Sequence, residues 1–214
     1  MAIKTQVYDK LVLVDDPLHI YMKNIKKLLF YVTLCMGILP ASLAHSYIIE
    51  RTEVSTVYEP QLLGYAGAGG RDIWTIILGN PFSVPQAIVN AIIVESMHGS
   101  HFGPDVDFTT MPAPGDRRYM RVVILINGST SSADDVCEYY PQRPLGPGYH
   151  DHIKVMMVFC NNEIPLSSVI GKVDVQNPDD KEFRSFIRQM TVALFPPRNP
   201  RQEGHGTSIW RWRH

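Results

Sequence analysis

Three cysteines in 214 residues are too few for a disulfide-dense scaffold or a four-thiolate zinc site. Excess charge of either sign is missing too: 20 Lys+Arg face 21 Asp+Glu, a net charge of −1. A chain without a basic excess is not built to neutralise a phosphate backbone, so no nucleic-acid partner is expected. Long hydrophobic runs are also absent. The longest apolar run, Leu28 to Leu39, has 12 residues. That is ~18 Å of helix, too short for a hydrocarbon core of ~30 Å. Apolar residues nevertheless make up 45% of the chain and charged residues only 19%, which excludes wholesale disorder and allows a packed core.

Familiar catalytic and phosphate-binding patterns are lacking as well. Gly67-Ala68-Gly69-Gly70 precedes a strand pattern, whereas a dinucleotide fingerprint follows a strand and opens a helix. No Lys-Ser/Thr closes it, so it is not a P-loop. Gly128-Ser129-Thr130-Ser131-Ser132 has Ser where a nucleophile elbow needs its second Gly. Asn127-Gly128-Ser129 matches the glycosylation sequon.

What is present begins at Met22. Lys23, Lys26 and Lys27 precede the apolar run, Pro40 ends it, and Ser42-Leu43-Ala44 places small residues before His45. This is the three-part layout of a secretory signal peptide, expected over residues 22–44 and cleaved after Ala44. Residues 1–21 fit no part of a signal and are expected to reflect a misplaced start. Cys35 lies inside the apolar run and follows Leu34, so it is not a lipidation site. Removal of the signal leaves Cys137 and Cys160, a pair expected to form a disulfide in an oxidising compartment.

The remaining chain reads as a single α+β domain over 45–197 and a flexible tail over 198–214. Strand patterns fall at Tyr47 to Tyr58, Ile73 to Leu78, Tyr119 to Ile126 and Ile153 to Cys160. A short run from Leu166 to Val175 completes a hairpin, and a brief strand is expected near Phe108. Leu63 to Gly70 reads as a flexible connection, and Ser129 to Tyr149 as a loop. Two main helices are expected, at about 84–97 and 178–195. Ser83 and Gln86 suggest a capping box for the first, whose apolar residues surround most of its circumference, with Gly99 as its stop. Asn177 and Pro178 open the second, where Phe183, Phe186, Ile187, Met190 and Leu194 form one stripe and Arg184 and Arg188 another face. These elements predict a two-layer sandwich: a mostly antiparallel sheet of four or five strands with the helices on one face.

Two groups of residues are candidates for chemistry. His98 and His101 flank a helix end, and His150 and His152 open a strand. With Asp105 or Asp107 they are a candidate zinc or copper site. Trp210-Arg211-Trp212-Arg213 pairs indoles with guanidinium groups, a combination suited to a lipid headgroup region, a glycolipid or an envelope protein. No cofactor is otherwise expected. The reading the residues favour is an exported, periplasmic or secreted, cell-envelope binding protein without catalysis and without a membrane span after processing. The alternative is a metal-binding protein or metal-dependent enzyme using the histidines.

Overall fold

In the computed structural model, residues 47–139 and 152–203 are described. Their strands are β1 (Tyr47–Val54), β2 (Ile73–Leu78), β3 (Phe108–Thr109), β4 (Met120–Ile126), β5 (Ile153–Asn161) and β6 (Ile164–Val173). The helices are α1 (Gln61–Gly67), α2 (Gln86–Met97), α3 (Ala133–Tyr139), α4 (Lys181–Leu194) and α5 (Pro200–Glu203). One six-stranded sheet runs β1-β6-β5-β4-β2-β3. Its β1–β6, β6–β5 and β5–β4 pairs are antiparallel, whereas β4–β2 and β2–β3 are parallel.

This corrects the expectation of four or five mostly antiparallel strands. The β5–β6 hairpin is as the sequence suggests, with Asn161 opposite Ile164. The other half is a crossover: β2 leads into α2 and the chain returns as β4 parallel to it, the connection a parallel pair requires. All seven β4 residues are buried, as its two-sided apolar pattern predicts.

Alternation divides the core into two layers. On one face Val122, Ile124, Val155, Met157 and Phe159 meet α2 and α4. The α4 stripe is fully buried at Phe183, Phe186, Ile187, Met190 and Leu194. On the opposite face Val123, Leu125, Met156, Val158 and Ile170 meet Val136 and Cys137 of α3. The fold is therefore α+β, but its helices are not confined to one side of the sheet.

Several local expectations are corrected. α2 starts at Gln86 behind Pro85 with no side-chain cap. Gln86 instead donates to the Gly79 carbonyl and to Asn90. Gly99 does adopt a positive φ of 63° at its end. The helix has one buried face rather than several, since Ile88 is 45% exposed. α4 begins at Lys181, later than expected, because Asp180 accepts a bond from the Asn177 N–H and keeps that turn outside the helix. Arg184 is not simply exposed: it donates to Glu95 of α2 at 2.7 Å and to Asp179 at 3.0 Å, and these acceptors hold its guanidinium above the usual range. Arg188 is exposed.

The Leu63–Gly70 stretch is a helix for most of its length. Gly64 and Gly67 let α1 close on the following loop, where a Cβ would meet Pro104 Cγ at 2.7 Å and Val106 Cγ1 at 2.5 Å. The Ser129–Tyr149 loop contains α3, and chain expected in the flexible tail is tied down. Asn199 is buried and donates to the carbonyls of Ser55 and Tyr58, both at 2.8 Å, before α5 begins.

Candidate functional site

α3 is fixed to the sheet through one residue. Cys137 is disulfide-bonded to Cys160 with the Cα atoms 5.8 Å apart. Its carbonyl accepts a bond from Arg121 Nη2 at 2.8 Å. Arg121 and Cys160 are register partners on β4 and β5. One point on α3 is thus gripped by two facing strand residues, covalently by one and through a charge-assisted bond by the other. The helix start is capped locally: Ser132 Oγ accepts from the Asp135 N–H and Thr130 donates to the Asp135 carboxylate. These bonds give the Thr130–Asp135 hydroxyls and carboxylate a capping role.

Beside α3 the same face of the sheet opens into a cleft of about 370 Å³. Its walls are Arg51 and Glu53 of β1 on one side and Ser131 to Asp134 on the other, with Arg201 of α5 and Ser168 of β6 among the remaining lining residues. Arg51 reaches the cleft because of a bulge. The β1–β6 register shifts between Ile49, opposite Gly171, and Arg51, opposite Ile170. Without that extra residue Arg51 would follow Tyr47 and Ile49 toward the α4 face. With it, Arg51 and Glu53 point to the α3 face, while Val54 turns to the core and Thr52 lies exposed on that other side. Arg51 Nε stands 3.6 Å from Glu53, and Nη2 donates to the Ser131 carbonyl. Lys154 Nζ donates to Ser131 Oγ at 2.7 Å in an exposed contact. The contact positions the serine.

No family model matches this chain, and comparison with curated proteins and with solved structures finds none similar to it. The chemistry of the site therefore rests on its own geometry.

The histidines are distributed rather than assembled. His98 and His101 flank Phe108 of β3, with ring centroids 6.2 and 5.8 Å from it. His98 Nδ1 is 2.9 Å from Asp107, and His101 Nε2 is 3.4 Å from the Val106 carbonyl. His152 pairs with Asp174 at 3.2 Å beside β5. The strands β4 and β2 lie between the two places, an offset of ~14 Å at the usual strand spacing. His150 lies outside the described residues, as do Trp210, Arg211, Trp212 and Arg213. Among the described residues no three His, Cys, Asp or Glu side chains gather as a metal site would need. Among the same residues no helix is long and apolar enough to cross a membrane.

Two further features were invisible to motif reading. Arg117 stacks over Tyr65 at 3.9 Å, and the Tyr65 and Tyr119 hydroxyls are 3.2 Å apart, a bond that holds the Tyr119 hydroxyl above the usual phenol range. Asn127 occupies a positive φ of 51° and accepts from the Lys154 N–H at 2.9 Å, so the sequon asparagine is 9% exposed.

Proposed function

We propose that this chain is an exported cell-envelope protein, periplasmic or secreted, that binds a ligand or partner and performs no catalysis. The observation that carries the reading is the Cys137–Cys160 bond, which anchors a helix on the sheet face where the cleft opens. Disulfides of this structural kind persist in oxidising compartments, in keeping with the signal layout of residues 22–44. The cleft supports binding: it offers hydroxyls and charges of both signs, while Ser132 caps a helix and Ser131 is braced by Lys154.

Intact mass of the protein recovered from the envelope fraction tests this. The expected product begins at or within a few residues of His45 and is lighter by two hydrogens than its reduced form. A product that retains Lys23 to Ala44 or the first 21 residues, or one with both thiols free, overturns the export reading. Stoichiometric metal in the same material, lost when His98 and His101 are replaced, would establish the metal-binding alternative instead.

A further inference from the structure

The cleft beside α3 is more specific than a generic polar hollow. Its volume of about 370 Å³ falls at the lower end of small-ligand sites, ~300–1,000 Å³, so it suits a compact molecule. Ser168 is 3% exposed, lines the cleft and bonds through its hydroxyl to no described residue. The residue is buried as a whole, but its oxygen is open to the cleft, so a ligand group that enters the cleft can bond to it. β1 places Glu53 directly across from it, the two being register partners on the cleft face.

The charges narrow the ligand class. Arg51 is committed to the Ser131 carbonyl and to Glu53. Asp134 and Arg201 make no side-chain bond to another described residue, and they carry opposite signs. The Arg201 backbone is anchored beside the cleft: its main-chain N–H donates to Asn199 Oδ1 at 3.0 Å, and Asn199 is held on the chain that follows β1, while the side chain stays exposed. The described lining contains no aromatic ring of the kind on which sugars stack, and too little apolar surface for a lipid tail. A purely anionic ligand would meet Glu53 and Asp134, and a purely cationic one would meet Arg51 and Arg201.

We propose that the cleft binds a small zwitterion of the α-amino-acid type, its carboxylate held by Arg201 and the Ser168 hydroxyl and its ammonium by Asp134 and Glu53. This rests on the binding reading above and supplies its ligand class. The same chemistry is offered by a free amino acid and, split between two ends, by a short peptide.

The test is titration of the ¹⁵N-labelled chain with L-alanine, L-alanyl-L-alanine, N-acetyl-L-alanine and L-alaninamide. L-alanine is expected to shift the amide signals of Ser168 and of Ser131 to Asp134. Blocking either end should weaken binding about tenfold, the worth of one charge-assisted hydrogen bond. Glu53→Gln, on an exposed side chain, and Arg201→Ala should each weaken L-alanine by a similar factor. Tighter binding of the dipeptide than of L-alanine assigns a peptide as the source of the zwitterion, and the reverse assigns a free amino acid. Equal binding of the blocked compounds, or no response from any of the four, overturns the zwitterion. Export is judged separately by the mass of the envelope product, so the ligand class can fail while the cellular reading stands.

Discussion

Phe186 packs directly over Gly171: a Cβ built on Gly171 would stand 2.7 Å from Phe186 Cε2. It would also lie 2.8 Å from the Ile48 carbonyl oxygen and 2.9 Å from Met190 Sδ. The glycine lets α4 sit low on β6 while β1 pairs on the other side. Gly171→Ala therefore lifts the helix or strains the β1–β6 ladder. The expected loss is ~1–3 kcal/mol, the range for overpacking a filled core. A urea titration measures it, and an unchanged midpoint would mean that the helix rides up without penalty.

Phe186→Ala removes the ring from the opposite side of the same contact. Phe186 is fully buried and also lies against Tyr47, ring centroids 5.7 Å apart. The substitution should cost ~3–5 kcal/mol. Arg188→Ala, on the exposed face of α4, should cost about 0.5 kcal/mol or less. Thermal melts of the pair distinguish the packed stripe from helicity alone, because equal losses would show that the stripe does not carry the packing.

Removing the disulfide should act on α3 before it acts on the sheet. The bond joins positions 23 residues apart, which in the chain-entropy model is worth about 3 kcal/mol. In Cys137→Ala/Cys160→Ala the Arg121 contact remains, so α3 should stay docked but open more often. Hydrogen exchange is expected to quicken at Val136 to Glu138 while β4 and β5 keep their protection. Uniformly faster exchange would mean that the bond holds the whole domain rather than one helix.

Tyr58 gives the fold an alkaline limit. Its side chain is buried, its hydroxyl donates to the Pro196 carbonyl at 2.9 Å, and burial pushes its pKa up to about 12. Between the ordinary phenol value near 10 and that figure, the unfolded chain loses a proton that the folded chain keeps. Stability is thus complete below pH 10 and declines as pH rises through about 12. Tyr58→Phe should flatten that decline while lowering stability at neutral pH through loss of the hydrogen bond. Melting temperatures collected from pH 8 to 12 check both effects, and an identical alkaline slope in the variant would assign the loss to other groups.

Much of the scaffold was legible because its periods are local. β2 matches its sequence pattern residue for residue, and every member of the α4 stripe is buried. The parallel half of the sheet was not legible, since strand direction depends on where α2 returns the chain and not on β4 itself. α1 hid behind its glycines, whose role is to admit Pro104 and Val106 from another segment. α3 was shorter than a helical period can reveal, although Ser132 and Asp135 do carry a capping signal. The cleft was the least readable feature. Arg51, Ser131, Ser168 and Arg201 are brought together by tertiary contacts, and only the loss of phase between Ile49 and Thr52 marks the bulge that turns Arg51 inward.

That bulge also bears on how the molecule behaves at high concentration. Among the described residues β1 is the last strand at its end of the sheet, and no described strand pairs with its outer edge, the kind of edge that can recruit further copies. The irregularity at Glu50 breaks its eight residues into regular runs of three and four. Glu50 itself is drawn toward Lys172, at 2.7 Å, and leaves a charge at the break. Neither run reaches the six or seven residues that a self-stacking segment needs. The same extra residue that directs an arginine toward the cleft therefore protects the chain against edge-to-edge aggregation.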